Sequence, residues 1–225
     1  MKWLILDIVK SSILILTALF PIVNPLGNSP IFLSLTRDYS SAARALLSRK
    51  IALNGFFLLI ASILTGTHIL AFFGISLPVV QIGGGVLVIS TGWIMLNSKE
   101  QPAKSAGRAP QDLSSQDLSQ RAFYPLTLPL TVGPGSISVA ITLGANETPY
   151  RGFNLTPLLA TVLGSALVAL SIYVSYRFAE RIAQWLGETA MSVILRLSSF
   201  ILLCIGVQIV WNGVSALLRS APCIH

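Results

Sequence analysis

Charge is scarce in this chain, and negative charge is scarcest. Eight Asp and Glu stand against fifteen Lys and Arg, and charged residues make up only 10% of 225 residues. No acid falls in the middle of an apolar stretch, where proton-driven membrane carriers commonly keep a titrating carboxylate. Cysteine is nearly absent: Cys204 lies in an apolar run, Cys223 lies near the C-terminus, and no Cys-x-x-Cys spacing exists. The two histidines, His68 and His225, stand apart. These shortages argue against a zinc or redox centre. There is no His-Glu-x-x-His, no intramembrane aspartate pair and no Ser/His pair at suggestive depth, so an enzyme is not expected.

Apolar residues fill the space that charge leaves. They form 53% of the chain, and the mean hydropathy is +0.76. This is the profile of an all-α polytopic membrane protein embedded in a lipid bilayer. A formal charge of +7 would suit a nucleic-acid partner, but the basic residues are scattered among apolar runs. Membrane topology accounts for them more simply, and no nucleic acid is expected. Lys2 and the apolar residues after it resemble a secretion signal. Asp7 and Lys10 interrupt that segment and no small-x-small site follows, which makes it the first membrane helix.

About twenty apolar residues cross a bilayer, and six spans are predicted on that basis. They run over Ile8–Leu35, Ile51–Phe73, Val79–Leu96, Ala122–Leu143, Thr156–Phe178 and Val193–Leu218. Between spans three and four, Asn97–Gln120 is rich in Ser, Gln, Pro and charge, and reads as a mobile loop. The chain divides as repeat one (1–98), a polar loop (99–121), repeat two (122–218) and a tail (219–225). Eleven of the fifteen basic residues cluster after spans one, three and five: Arg37, Arg44, Arg49, Lys50, Lys99, Lys104, Arg108, Arg121, Arg177, Arg181 and Arg196. Lys2, Lys10, Arg151 and Arg219 lie on the other side. The bias puts the basic loops in the cytoplasm and both termini outside. Asp7 and Lys10, one helical turn apart, are expected to pair at the outer edge.

Two stretches break the pattern. Pro21-Ile22-Val23-Asn24-Pro25-Leu26-Gly27-Asn28-Ser29-Pro30 interrupts span one, and Pro129-Leu130-Thr131-Val132-Gly133-Pro134-Gly135-Ser136 interrupts span four. Proline removes a backbone donor and glycine removes stiffness. In lipid such breaks persist only where they are buried in protein or line a polar cavity. The flanking charges place both near mid-membrane. Spans one to three and four to six share one plan, a broken helix, an intact helix and a small-residue helix. Aligning Ile82–Gly92 with Arg196–Gly206 matches Gly84 with Ser198, Gly85 with Ser199, Ser90 with Cys204 and Gly92 with Gly206. Three spans per repeat is an odd number, so the halves enter from opposite sides, as in many secondary transporters.

At the first break a half-helix is expected to end near Val23, leaving carbonyls for an ammonium group or a cation, with Asn24 and Asn28 adding donors and acceptors. The next half-helix is expected to start at Ser29-Pro30, where Ser29 caps N–H groups that would attract a carboxylate. At the second, Thr131 offers a hydroxyl, Gly133 and Gly135 expose backbone around Pro134, and Ser136 opens the following half-helix. Gln208 is a further polar residue that could line the site. The bland alternative at each break is a packing kink. The lack of deep fixed charge points to a small zwitterion, and no cofactor is expected. Coupling then uses Na+ held by carbonyls and hydroxyls, or H+ shuttled by His68, or is absent, as in uncoupled export or exchange. The substrate, the direction and the oligomeric state, a homo-oligomer included, stay open.

Pro21-x-x-Asn24-Pro25-x-Gly27, followed after the central loop by Gly133-Pro134-Gly135, resembles the MarC family of bacterial inner-membrane proteins. The likeness spans the whole chain. It implies a plasma-membrane protein that moves small neutral amino acids such as Gly, Ala, Ser or Thr, with Asn24, Pro25, Gly27, Gly133, Pro134 and Gly135 at the family's motif positions. Val132 stands where the family carries a smaller residue, which bears on pocket size. The leading expectation is a secondary transporter, an exporter working by alternating access. The alternatives are a non-transporting scaffold and a passive channel.

Overall fold

The computed structural model describes residues 2–97, 115–147 and 155–220. Lys99, Lys104, Arg108, Arg151, Cys223 and His225 lie outside the described residues. The elements are α1 (Lys2–Val23), α2 (Pro25–Leu35), α3 (Ser41–Phe72), α4 (Leu77–Asn97), α5 (Ser115–Arg121), a π-helical segment (Ala122–Thr131), α6 (Pro134–Glu147), α7 (Leu155–Arg177) and α8 (Ala179–Ser220). No strand occurs among the described residues. Five helices are long and apolar enough to cross a membrane. A sixth span is formed if Asp117–Thr131 and Pro134–Asn146, bent by 71°, count as one. The expected all-α polytopic class is the observed one.

Several boundaries move outward from the predicted spans, because polar residues at membrane edges still suit a helix. Ser40 caps α3 by accepting the Ala43 N–H at 3.2 Å, so that helix starts well before Ile51. Gly187, at φ 74°, divides α8 into a short leading piece and the long apolar span. The last residues of the polar linker are helical too: α5 buries Leu118 against the core. Asp7 and Lys10 form no ion pair, contrary to expectation, and both point outward from α1. Arg44 instead pairs with Glu180 at 2.9 Å, tying α3 to the start of α8. Beside it Lys50 Nζ donates to Ser119 Oγ at 2.6 Å, and Arg121 donates to the Tyr39 hydroxyl at 2.5 Å. These contacts bind the basic ends of the bundle together.

Lipid is as apolar as leucine, so membrane helices associate through close packing more than through a hydrophobic drive. α4 and α8 show how. A Cβ added at Gly85 would lie 2.9 Å from the Gly206 carbonyl oxygen, and one at Gly206 would lie 2.9 Å from that of Gly85. One at Gly92 would lie 2.9 Å from the carbonyl oxygen of Ser199. The two helices therefore run antiparallel, backbone against backbone. Under the alignment above, Gly85 matches Ser199 and Gly92 matches Gly206. The Gly85–Gly206 approach and the Gly92–Ser199 approach are thus one contact seen from each half. The remaining packing has the same exchange character: α3 lies on α7, α1 on α7 as the π segment on α3, and α6 on α4 as α2 on α8.

Candidate functional site

At the first break the chain turns within one residue. Asn24 adopts a left-handed backbone, φ 47° and ψ 56°, a conformation Asn tolerates better than most residues. Its N–H still donates to Phe20 O and its C=O still accepts from Asn28 N, both at 2.9 Å. Its side-chain Oδ1 accepts the Gly27 N–H at 3.1 Å. Position 27 must be glycine for this cap to close, since a Cβ there would sit 2.6 Å from Asn24 Oδ1. Helix α2 therefore begins at Pro25, with proline at the position where its missing donor costs nothing. This corrects the expected start at Ser29-Pro30. Asn24 is the cap, and Ser29 lies inside the helix.

The displaced backbone groups are met by side chains. Diverting the Gly27 N–H to Asn24 releases Val23 O, and Asn28 Nδ2 donates to it at 2.9 Å. Pro134 has no N–H for Leu130 O, four residues before it, and the same Asn28 Nδ2 donates there at 3.1 Å. One buried carboxamide thus serves both breaks. Pro30 likewise cannot reach Leu26 O, which takes the Ser29 hydroxyl at 2.8 Å. The Val23 carbonyl expected to hold an ammonium group or a cation is therefore already occupied.

The second break is wider. Tyr124 and Leu128 are extended within the π segment, the Tyr124-Pro125 and Leu128-Pro129 bonds are cis, and Val132 and Gly133 follow before α6. Threonine hydroxyls hold the segment, Thr127 Oγ1 on Ala122 O at 2.6 Å and Thr131 Oγ1 on Leu126 O at 2.7 Å. Thr131 also meets the Tyr176 hydroxyl at 2.8 Å, and the Tyr176 ring stacks on Phe32 with centroids 4.6 Å apart. The first α6 amide paired at this end is that of Ile137, on Gly133 O at 3.1 Å. Gly133 has no side chain to cap the amides of Gly135 and Ser136, in contrast to Asn24.

Between the breaks lies a cavity of about 240 Å³. Asn24, Asn28, Thr131, Gly133, Pro134, Gly135 and Ser136 line it, all of them singled out in the sequence. Pro25, Gly27 and Ser29 do not; they build α2 and its cap. The opposite wall is largely apolar and was missed: Leu87, Val88 and Met95 from α4 with the Thr91 hydroxyl among them, and Leu202 from α8. On the sequence these residues have only the spacing of an ordinary lipid-facing helix. Gln208 is not part of the lining. It is exposed on α8 and donates to Asn212 Oδ1 at 2.9 Å. His68 is exposed on α3, also away from the cavity. Val132, fully buried, faces Gly55 of α3 and so does not set the size of the cavity.

The cavity reaches Leu87 and Val88, midway along α4, while Thr131 bonds to Tyr176, the neighbour of the Arg177 that ends α7.

Comparison with known proteins bears on the same residues. A family profile described as "MarC family integral membrane protein" matches residues 9–218. The chain is 30% identical over 200 residues to the Bacillus subtilis "UPF0056 membrane protein YvbG", covering 89% of this chain and 92% of that one. It is 30% identical over 218 residues to the "UPF0056 inner membrane protein MarC" of Escherichia coli K12, covering 96% and 99%. A "UPF0056 membrane protein" of Archaeoglobus fulgidus is 32% identical over 205 residues, covering 91% and 92%. No solved structure matches.

Proposed function

This chain belongs to the MarC family of integral membrane proteins, and from that premise we propose that it is a secondary transporter of small neutral amino acids. The observation that carries the reading is the cavity shared by the two broken helices, with Asn28 bonded to the carbonyls of both. Broken helices meeting at a polar cavity are the usual substrate site of transporters built from paired halves. The self-complementary crossing of α4 and α8 supports an inverted repeat, and rocking one half against the other would supply alternating access. The size of the cavity, about 240 Å³, suits a small solute. No acid lines it, which suits a neutral or zwitterionic one. The eleven-residue basic bias supports a cytoplasmic basic end, and on this reading the protein acts as an exporter in the bacterial inner membrane.

Reconstituted proteoliposomes test the reading. Labelled alanine or glycine should be taken up saturably, and Asn24→Ala should abolish uptake while the protein still inserts. Normal uptake by that variant contradicts the site. Flux that never saturates and ignores ion gradients indicates a passive channel.

A further inference from the structure

The bend at the second break gives the cavity a side opening. α6 covers α4 only as far as Val88: Ser138 Oγ donates to Val80 O at 2.8 Å, and a Cβ added at Gly135 would strike the Val88 side chain. There the chain bends by 71° into the π segment, which packs on α3 and α5 instead. On α4, Leu87 and Thr91 are left exposed, Leu87 at 47%, and both line the cavity. Pro129 and Pro134 form the other rim and are exposed as well. The α4 rim continues into an apolar outer face, with Ile94 65% exposed, so lipid lies outside the opening. α4 carries 21 residues, about 31 Å at 1.5 Å per residue, which matches the hydrocarbon core of a bilayer. Thr91 stands about 9 Å of helix from the end of α4 at Asn97. The opening is therefore at acyl-chain depth in the leaflet on that side.

Inside the opening the cavity offers both acceptors and a donor. Asn28 spends its Nδ2 on two carbonyls, and its Oδ1 has no hydrogen bond among the described residues. Thr91 donates its hydroxyl to Leu87 O at 2.9 Å and keeps its oxygen free to accept. The Ser136 hydroxyl has no hydrogen bond among the described residues, so it can donate or accept. Val88, Met95 and Leu202 supply apolar wall, and no charged residue lines the cavity among those described. A charged head arriving from lipid would meet no counter-charge here. A hydroxyl or primary amide, which both gives and takes a hydrogen bond, is matched. We propose that the cavity takes a second class of ligand, a neutral single-chain amphiphile with a hydroxyl or amide head, entering from the bilayer between α4 and the second break. The head bonds to Asn28 and Ser136, and the apolar tail lies between Leu87 and Pro134 and runs out into lipid. This goes beyond the transport reading and does not depend on it.

Photolabelling of the full chain in lipid nanodiscs tests this, with 1-octanol carrying a diazirine on its chain as the probe and mass spectrometry to locate the label. Label should concentrate at the two rims, Leu87 and Thr91 on one side and Pro129 and Pro134 on the other, and should saturate. Unlabelled 1-octanol should displace it, and octane should do so about 10-fold less well, the scale of a lost hydrogen bond. Thr91→Trp fills the opening from an exposed position and should abolish labelling of the second break. Ile94→Trp, on the outer face of α4 and outside the cavity, should leave that labelling unchanged. Label that never saturates and spreads over the exposed faces of all the helices overturns the proposal, as does full labelling of the second break in Thr91→Trp. Octane displacing the probe as well as octanol overturns the assignment of a polar head. Saturable labelling of the rims in a protein that takes up no amino acid upholds this site and overturns the transport reading alone.

Discussion

At the first break the chain leaves one helix and enters the next through Asn24 alone, whereas the second uses the whole Ala122–Thr131 segment and then Val132 and Gly133. The first is capped by its own side chain, Asn24 on the Gly27 amide. The second has glycine at the capping position and leaves its leading amides open. The two breaks are therefore built differently: the Asn24 turn closes its own cap and lends Asn28 to the second break, while the Gly133 turn leaves the leading amides of α6 without a side-chain cap.

The largest predicted effect comes from removing the shared carboxamide. Asn28→Leu strands Val23 O and Leu130 O together, and at about 1–3 kcal/mol each the loss should show as a steep fall in thermal midpoint in detergent. An unchanged midpoint would mean that the breaks are not joined through Asn28. A smaller difference separates the two glycines. Gly27→Ala drives a methyl into the Asn24 carboxamide and should cost about 1–3 kcal/mol. Gly133→Ala meets only the Pro129 carbonyl, at 2.9 Å, and should lower the midpoint less. Equal losses would erase the contrast between a closed cap and an open one. Smallest is Tyr176→Phe, which keeps the stack on Phe32 and deletes the bond to Thr131. It should cost about 0.5–1.5 kcal/mol, read by chemical denaturation of the reconstituted protein.

Much of this was legible in the residues. Proline and glycine inside apolar runs cannot continue a helix quietly, so Pro21–Pro30 and Pro129–Ser136 announced both breaks, and seven cavity-lining residues were named from them. The starting point of α2 was not legible. Asn24-Pro25 and Ser29-Pro30 are both a capping residue followed by proline, and local chemistry favours neither. Gly27 decides it, by giving the Asn24 carboxamide room that Ser29 has no equivalent for. The α4 wall was invisible because Val88 and Met95 facing a cavity obey the same spacing as residues facing lipid. Gln208 misled for the opposite reason: a polar residue in a span need not turn inward when a helical neighbour, Asn212, can satisfy it.

The central claim, that the space between the two breaks is where substrate sits, is tested most directly by protection from alkylation. Ser136→Cys, in a background with Cys204→Ser and Cys223→Ser, gives one thiol at the cavity, and Phe72→Cys in the same background gives an exposed control. Saturating L-alanine should slow maleimide labelling at position 136 several-fold and leave position 72 unchanged. Labelling at position 136 that proceeds equally fast with and without alanine would contradict the account.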